Sequence, residues 1–362
     1  MEKTQKKLIV FMPSIEDGGV EKNLYLILNY LSNKVANIKL ITFDNKKKIK
    51  FKSNIEIITP ALNFSFIKSR YPKYLICLIK LLQITLFNRK HIILSFQANI
   101  FVLIVSKLLN IKVLSRSNSS STGWSKNIFK QFIFFYFFKK ADEIIVNSFE
   151  FKKEMDKKYN INSKCILNPF NFKEIKKESK KKVKKIYKKN SLKLISVGRL
   201  TDQKDFLTTL KAMNILKNKN IELTIIGKGQ NKEHLDRYIK INNLQKNIKF
   251  LGYKKNPFPF IRQADIFVLS SMFEGSPNVM IEALYLKKHI ISTNCPTGPK
   301  EILQNGKYGD LIKIGDYKSL AKKILKFKLK NYRKKINAKL ILEKYDYKKN
   351  CEEYYQLVNK YL

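Results

Sequence analysis

The sequence predicts an α/β protein of two domains, each with a parallel sheet between layers of helices. Three observations lead to this prediction. The chain has 362 residues, more than one ordinary doubly wound domain contains. Short apolar segments of strand length alternate with longer segments of helical pattern. This alternation restarts in the second half, after a lysine-rich segment without glycine at 171–190.

The first half contains six segments that predict buried strands, because each is short and consists mainly of Ile, Val, Leu or Phe. They lie at 8–12, 38–43, 55–58, 92–96, 112–115 and 143–146. Helical patterns fill the gaps between them, which is typical of a parallel sheet with helices on both faces. We expect this N-terminal domain to cover 1–170.

The second half repeats the pattern after segment 171–190, which we interpret as a solvated linker and basic helix. Five further strands are predicted at 192–197, 221–226, 248–251, 265–270 and 289–293. They indicate a second Rossmann-like domain at 191–344. The remaining segment, 345–362, has the pattern of a polar helix, and we expect it to pack back toward the N-terminal domain.

The composition restricts the possible partners without choosing one. The formal net charge of +45 would attract nucleic acid, anionic lipid or phosphorylated small molecules, although lysine spread beside many Asn and Ile equally fits a residue-usage bias. No helix-turn-helix, zinc or RNP-type signature supports nucleic-acid binding. A hydrophobic fraction of 44% excludes global disorder. The four cysteines lack metal-ligand or disulfide spacing, which fits a reducing compartment.

The apolar segments do not predict a membrane-spanning helix. Segment 8–12 has strand length and ends at Pro13, so we expect no secretory signal. Segments 74–87 and 128–138 are interrupted by lysine and are shorter than the ~20 residues that span a bilayer. The aromatic run at 129–138, flanked by Lys126, Lys139 and Lys140, fits either an interfacial helix on anionic lipid or a core helix with charged ends.

A helix start follows the predicted strand at 265–270. Ser276 suits an N-cap and Pro277 suits the first helical position. The amides of Asn278 and Val279 would then point out at the carboxyl edge of the sheet, where open α/β folds bind phosphates. This pattern predicts an anion site at the start of that helix.

Two glutamates flank this helix start, with Glu274 on the loop and Glu282 on the second helical turn. Their carboxylates could accept hydrogen bonds from vicinal hydroxyls of a sugar and a ribose. The alternative is a solvated loop residue and a surface helix residue. We expect neither carboxylate to belong to a core.

Two cations follow another strand, at 192–197. Gly198 and Arg199 come directly after it, and Lys204 lies five residues further along. An arginine fork and a lysine point charge are suited to neutralising a diphosphate. Chance placement is the alternative in a chain with 73 Lys and Arg.

The order of these elements resembles the large family-four retaining glycosyltransferases of GT-B architecture, in which two Rossmann-like domains face a central cleft. The resemblance covers 192–303, and its signature element is the E-x7-E pair of Glu274 and Glu282. The matching elements are VGR at 197–199, Lys204, IGKG at 226–229, FLG at 250–252, AD at 264–265, SS at 270–271, FEG at 273–275 and EA at 282–283.

The resemblance implies roles for these residues. Glu274 would contact the hydroxyls of the donor sugar and Glu282 the ribose. Arg199 and Lys204 would hold the diphosphate. The backbone of the strand-end glycines would approach the nucleotide, and the base of the nucleotide would pack near Gly252 and Tyr253. The remaining nucleotide-binding candidates are Gly198, Asn278, Val279, Gly227, Gly252 and Tyr253.

The first domain offers weaker matches. The family places a glycine-rich loop after the first strand, matched here by Glu16, Asp17, Gly18 and Gly19, although an ordinary turn before a helix would look the same. The family often has a histidine at the end of a mid-domain strand. The corresponding segment here has none, and the resemblance assigns its Arg116 and Asn118 to the acceptor side.

The implied reaction is transfer of an N-acetylhexosamine or hexose from a UDP-sugar to a lipid-linked glycan or a polysaccharide precursor such as that of lipopolysaccharide. The anomeric configuration would be retained without a protein nucleophile. No D-x-D element occurs, so we expect no metal requirement. The enzyme would be cytoplasmic, peripheral on the inner face of an anionic membrane, and would not bind nucleic acid. The alternatives are an epimerase or hydrolase, which needs a placed acid and base, and a basic nucleic-acid-binding protein.

Overall fold

The computed structural model describes residues 7–16, 18–44, 51–60, 69–118, 128–329 and 338–362, with the backbone alone at 128–130. The chain divides into two compact units. We call Met1–Phe170 with Tyr345–Leu362 the N-terminal unit and Asn171–Lys344 the C-terminal unit. The last segment of the chain therefore belongs to the same unit as the first.

The N-terminal unit contains a parallel sheet of seven strands. They are β1 (Lys7–Phe11), β2 (Ile38–Ile41), β3 (Ile55–Ile58), β4 (His91–Ser95), β5 (Lys112–Arg116), β6 (Glu143–Val146) and β7 (Lys164–Cys165). Their order is β3-β2-β1-β4-β5-β6-β7. The central strands are buried on both faces, which explains why they are continuous apolar segments rather than alternating ones.

Helices cover both faces of this sheet. They are α1 (Gly19–Leu31), α2 (Arg70–Leu86), α3 (Asn99–Leu109), α4 (Ile128–Phe138), α5 (Phe149–Tyr159) and, near the chain end, α14 (Tyr347–Asn359). Leu8 and Val10 pack with α1 and α14, whereas Ile9 and Phe11 pack with the core residues of α2, α3 and α5. This division follows from the alternation of side chains along a strand.

The C-terminal unit has a second parallel sheet, of six strands. They are β8 (Leu192–Val197), β9 (Ile221–Ile226), β10 (Ile248–Phe250), β11 (Ile266–Leu269), β12 (His289–Thr293) and β13 (Asp310–Ile312), in the order β10-β9-β8-β11-β12-β13. The chain leaves β8 toward one edge and returns at β11 toward the other. The gap between the ends of β8 and β11 is therefore the topological switch point, where open α/β sheets bind ligands.

The helices of this unit are α6 (Phe172–Ser179), α7 (Phe206–Ile215), α8 (Lys232–Ile241), α9 (Phe258–Gln263), α10 (Asn278–Tyr285), α11 (Pro299–Ile302), α12 (Tyr317–Leu329) and α13 (Lys339–Glu343). Leu194, Leu223 and Val268 of the sheet pack with Leu210 of α7 and Leu320 of α12. Burial of each such side chain contributes about 1.5–3 kcal/mol to folding. The unit thus has a core of its own.

The α/β prediction is confirmed, and the eleven predicted strands are present with ends shifted by at most two residues. Strands β7 and β13 were missed because they have only two and three residues. Segment 171–190 is less solvated than expected: α6 buries Ile175 and packs against α9. Among the described residues, no helix is both long enough and apolar enough to cross a membrane.

Candidate active site

The loops that follow β8 and β11 lie side by side at the switch point of the C-terminal sheet. The amide of Met272 donates to the carbonyl of Gln203 over 2.8 Å, and the Gln203 side-chain amide donates to the carbonyl of Phe273 over 2.9 Å. Ser270 also donates to the carbonyl of Asp205 over 2.8 Å. These bonds hold the Lys204 turn and the Glu274 loop in one fixed arrangement.

Lys204 and Glu274 form an ion pair between the two loops. Lys204 lies on a single 3-10 turn, Asp202–Lys204, and its ammonium donates to Oε1 of Glu274. The Ser271 hydroxyl donates to the same oxygen over 2.6 Å. The two charged side chains are 14% and 8% exposed, so solvent screens the pair little. Two of the sequence-predicted site residues therefore meet at the position where a ligand is expected.

The end of β12 and the loop after it form hydrogen bonds with the Glu274 loop. The Thr297 hydroxyl donates to the Glu274 carbonyl, and the Thr293 hydroxyl donates to the Ser271 carbonyl over 2.6 Å. Gly298 has a φ of +91°, and a Cβ there would lie 2.5 Å from the Gly275 carbonyl oxygen. A larger residue at 298 would therefore push the glutamate loop away. Sequence reasoning missed Ser271, Thr293 and Thr297 as supports of the site, because hydroxyl residues follow many strands.

Helix α10 begins one residue later than the sequence predicted. Pro277 occupies the N-cap position with ψ of 101°, outside the helical region, so Asn278 is the first helical residue and Ser276 is not the cap. Asn278 and Val279 are thus the first two residues of the helix, as required for an amide-lined anion site. A helix has no internal acceptors for its first four amides, and the positive end of its dipole lies here.

Both glutamates are buried, contrary to the expectation that neither belongs to a core. Counted as whole residues, Glu274 is 6% and Glu282 is 1% exposed. Glu282 lies on the second turn of α10, whose sequence packs against the sheet with Met280, Ile281 and Ala283. The free energy of placing two carboxylates here must be offset by hydrogen bonds, which Lys204 and Ser271 provide for Glu274.

Arg199 lies beside this pair but in a different environment. Its side chain is exposed directly after β8, and within the described parts of the chain its guanidinium has no hydrogen bond or ion pair. A Cβ at Gly198 would lie 3.6 Å from Cδ of Lys204, so the lysine stem crosses directly over this glycine. The site combines an accessible arginine with a lysine that a carboxylate already holds.

The strand ends of β8, β9 and β10 form a continuous edge next to Arg199. The Gly198 amide donates to the Ile226 carbonyl, and the Gly227 amide donates to the Gly252 carbonyl, both over 3.0 Å. A Cβ at Gly227 would lie 1.8 Å from the Gly198 carbonyl oxygen, so no side chain fits there. The edge therefore exposes backbone where the nucleotide was predicted.

Tyr253 extends from this edge and is accompanied by a cation. The tyrosine is 39% exposed, and Nζ of Lys228 lies 5.3 Å from its ring centroid. Lys228 belongs to the glycine-rich element at 226–229 but was given no role from the sequence. An aromatic ring with an adjacent ammonium is a suitable surface for a nucleobase and its phosphates.

Cys295 is the cysteine of the C-terminal unit, and its thiol is buried near the glutamate loop. Burial and the negative charge of Glu274 raise the pKa of Cys295 to about 12. The thiol is therefore protonated at neutral pH and unreactive. Among the described residues, no group of three or more His, Cys, Asp or Glu could hold a metal ion. The expected metal independence stays a prediction.

The glycine loop of the N-terminal unit follows β1 as predicted. Gly18 is the N-cap of α1 and Gly19 its first residue, while Asp17 lies outside the described residues. Glu16 of this loop accepts two hydrogen bonds from Arg70, over 2.9 and 2.6 Å. The loop lies at the carboxyl end of β1, and its role in phosphate binding stays a prediction.

The assignment of Arg116 to an acceptor surface requires correction. Arg116 is the last residue of β5 and is 0% exposed. Its guanidinium donates to the Tyr354 hydroxyl and the Asn168 side chain, each over 2.7 Å, and to Asn118. Asn118 in turn donates to the Phe96 carbonyl over 2.9 Å. These bonds connect Arg116 with α14 inside the unit, so its side chain is not exposed to an acceptor. Asn118 is half-buried, and its place on the acceptor side stays a prediction.

The comparisons with known proteins agree with this geometry. The family model described as "Glycosyl transferases group 1" matches residues 176–345, which is nearly the whole C-terminal unit. An uncharacterized glycosyltransferase of Methanocaldococcus jannaschii is 30% identical over 296 residues, covering 76% of this chain and 68% of the relative.

A second relative, from Campylobacter jejuni, is named N-acetylgalactosamine-N,N'-diacetylbacillosaminyl-diphospho-undecaprenol 4-alpha-N-acetylgalactosaminyltransferase. It is 24% identical over 333 residues, covering 87% of this chain and 88% of the relative. Among solved structures, Anabaena HepE in complex with UDP-glucose has a TM-score of 0.77 at 16% identity, covering 98% of this chain and 100% of the other. Its similarity shows the fold, which is GT-B. The chain is a glycosyltransferase and belongs to the family of glycosyl transferases group 1.

Proposed function

We propose that this glycosyltransferase moves a hexose or N-acetylhexosamine from a UDP-sugar to a lipid-linked glycan or polysaccharide precursor, with retention of configuration and without a metal. One observation carries the proposal: the Lys204–Glu274 pair lies at the switch point, where the loop after β8 carries the exposed Arg199 and the loop after β11 leads into α10. Cations and helix amides thus surround the place where the leaving diphosphate would gain charge.

The similar proteins support the choice of substrates. Anabaena HepE has been solved with UDP and with UDP-glucose. The names of two Campylobacter jejuni relatives include a diphospho-undecaprenol or PP-undecaprenol acceptor. An Erwinia amylovora relative is named for amylovoran biosynthesis. A UDP-sugar donor and an acceptor carried on lipid, used at the inner face of the cytoplasmic membrane, are the simplest choice for this chain.

In the proposed reaction, the bond between the sugar C1 and the diphosphate oxygen breaks while an acceptor hydroxyl attacks the same face. The hydroxyl proton passes to the departing diphosphate, so no protein nucleophile is needed. Arg199 and the amides of Asn278 and Val279 stabilise the diphosphate charge. Glu274 orients the Lys204 ammonium and accepts hydrogen bonds from sugar hydroxyls, and Glu282 contacts the ribose. The base packs beside Gly252 and Tyr253.

A donor screen tests this function. Released nucleotide is measured with UDP-glucose, UDP-galactose and their N-acetylated forms, using detergent-solubilised membrane lipid extract as acceptor. We expect UDP release from one donor to depend on the extract. Glu274→Gln should lower kcat by about a hundred- to a thousandfold, the usual effect of losing one oriented polar group at a reacting centre. Glu233→Gln, an exposed carboxylate on α8, is the matched control.

Each alternative gives a different outcome in the same screen. Release of UDP that does not depend on the extract would show a hydrolase. Interconversion of UDP-sugars without release would show an epimerase. Full activity of Glu274→Gln would contradict the assigned site even if transfer occurs.

A further inference from the structure

Three neighbouring helices of the N-terminal unit expose apolar side chains on the side away from their sheet. Helices α2, α3 and α4 pack next to one another on one face of the sheet. The outward side chains include Leu75 and Leu86 on α2, Phe101 and Leu108 on α3, and Phe132 and Tyr136 on α4. We call this surface the apolar helix face.

The helices are apolar on both sides, which distinguishes them from ordinary surface helices. On α2, Cys77 and Leu81 are fully buried while Leu75 is exposed. On α3, Val102 is buried while Leu108 is 78% exposed, and on α4 Phe138 is buried while Phe132 is 69% exposed. A helix that is apolar all round is normally covered on all sides. Large exposed apolar side chains grouped on neighbouring helices mark an interaction site.

The chain segment that carries the apolar helix face, 57–141, contains only basic charged residues. The acidic partners of Arg70 and Lys73 at the start of α2, Glu16 and Asp44, come from other segments. No acidic residue occurs between Glu56 and Asp142, although the chain contains 28 in 362 residues. Lys139 Nζ lies 4.2 Å from the ring centroid of Phe135, and Lys140 Nζ lies 4.3 Å from that of Tyr136. The hydrogen bond from Lys140, then the charges of Lys140 and of Lys107 on α3, lower the pKa of Tyr136. Cations from α3 and from the residues directly after α4 thus lie near the aromatic rings of α4.

This combination selects among possible partners. The central parts of protein–protein interfaces contain few charged residues, and lysine is depleted there. Aromatic rings and leucines with lysines at their edge are typical of surfaces at the headgroup level of a bilayer, where apolar bodies enter the acyl boundary and ammonium groups contact phosphates. The missing acidic residues fit an anionic surface, because any carboxylate here would be repelled.

We propose that the apolar helix face is the surface on which this protein docks to an anionic lipid bilayer. Leu108, Phe132 and Tyr136 enter the boundary between headgroups and acyl chains, while Lys139 and Lys140 bind headgroup phosphates. This surface would be the membrane contact of the proposed enzyme. The proposal rests on the proposed function in one respect, because a lipid-linked acceptor is what makes a membrane contact useful.

Co-sedimentation with vesicles of 30% phosphatidylglycerol in phosphatidylcholine tests the apolar part. Leu108→Ser/Phe132→Ser/Tyr136→Ser should bind these vesicles at least about a hundredfold more weakly than the natural chain, since three large apolar side chains stay in water. The control is Ile241→Ser/Leu329→Ser/Leu340→Ser, which changes three apolar residues of the C-terminal unit that are at least 71% exposed. We expect the control to bind like the natural chain.

The contribution of Lys139 and Lys140 is tested with a double variant and a control double variant of the same charge change. Lys139→Gln/Lys140→Gln should weaken vesicle binding by about thirtyfold, because a lysine near an anionic surface contributes about 1 kcal/mol. Lys217→Gln/Lys219→Gln changes the net charge equally at two exposed sites of the C-terminal unit. An equal loss in both pairs would show attraction by bulk charge and overturn the proposal. Unchanged binding of the triple serine variant would overturn it as well.

Two further measurements separate this surface from the alternatives. A dimer of the natural chain in sedimentation velocity that the triple serine variant abolishes would make the face a self-association surface and overturn the proposal. Transfer to lipid extract in detergent micelles should persist in the triple serine variant. Loss of its vesicle binding with retained transfer supports the surface. Vesicle binding by a natural chain that releases no UDP from any donor contradicts the proposed function alone.

Discussion

Two arginines at strand ends, one in each unit, show how differently the same position can be used. Arg199 follows β8 in the C-terminal unit and is exposed beside the Lys204–Glu274 pair. Arg116 ends β5 in the N-terminal unit and is fully buried, with its guanidinium bound to Tyr354, Asn168 and Asn118. One is available to a ligand and the other stabilises the fold.

The difference comes from strand register. The sequence placed the end of the strand at 115, but β5 continues through Arg116, whose side chain therefore lies on the same face of the sheet as Leu114. Leu114 packs in the core that also contains Tyr354 of α14. Arg199 lies two residues beyond the end of β8, so the alternation of side chains along the strand does not direct its side chain into the core. The resemblance assigned Arg116 to the acceptor side, whereas the alternation of side chains along β5 directs it into the core.

The largest effect is expected for Arg116→Leu. Its loss leaves the buried Tyr354 hydroxyl and the Asn168 side chain without their donor, and such a loss costs about 3–5 kcal/mol. Hydrogen exchange of the α14 amides in the full chain should accelerate by a factor of about a hundred to a few thousand. Arg199→Leu, an exposed arginine of the other unit, should leave this exchange unchanged. Equal protection in both variants would contradict the anchoring role of Arg116.

A variant of the exposed Arg199 tests nucleotide binding. Arg199→Ala should weaken binding of UDP about ten- to a hundredfold and binding of uridine far less, because its expected partner is the diphosphate and charge-assisted hydrogen bonds contribute about 1.5–3 kcal/mol. Calorimetry at fixed salt measures both ligands, with Lys184→Ala in the basic segment as control. Lys204→Ala should show the same preference. Equal losses for UDP and uridine, or an equal loss in the control, would disprove the diphosphate clamp.

Much of the C-terminal site could be predicted because its signals are local. A strand, a glycine and a cation at 192–199, and a strand, a glutamate and a helix start at 266–278, each follow from the chain itself. Their meeting at the switch point follows from the strand order of a doubly wound sheet. The contact that the sequence could not predict is the direct pairing of Lys204 with Glu274, which depends on side-chain direction across two loops.

The remaining errors have the same origin. Burial of Glu282 depends on which face of α10 meets the sheet, and a single polar residue among Met280, Ile281 and Ala283 does not determine this from the sequence. The hydroxyls of Ser271 and Thr297 act on Glu274 from two different loops. Three-dimensional neighbours of this kind leave no periodic pattern. The sequence likewise left open whether α4 is an interfacial helix or a core helix, and the structure exposes Phe132 while it buries Phe138.

A smaller effect is expected for Ser271→Ala, which removes one of the two donors to Oε1 of Glu274 while Lys204 remains. We expect kcat to fall about tenfold, corresponding to one hydrogen bond to a charged group. As a positioning residue, Ser271 should change kcat more than KM for the donor. Thr209→Val, which removes the hydroxyl that donates to Ser270 over 3.0 Å, is a buried control in the same unit. A fall in thermal stability with unchanged kcat would reduce Ser271 to a structural role.

The smallest expected effect is that of excess EDTA, which should leave the transfer rate unchanged within about twofold, or roughly 0.4 kcal/mol in the barrier. Magnesium in nucleotide sites is held by carboxylates together with phosphates. Here two carboxylates of the loops at the switch point already have protein partners: Glu274 accepts from Lys204 and Ser271, and Asp202 accepts from Asn231 over 2.7 Å. Arg199, Lys204 and the first amides of α10 supply positive charge instead. The rate is measured in EDTA, in EDTA saturated with magnesium, and in magnesium alone, so that ionic strength and direct effects of EDTA cancel. A rate that disappears in EDTA and returns with magnesium or manganese would show that a bound ion performs the role assigned to these residues.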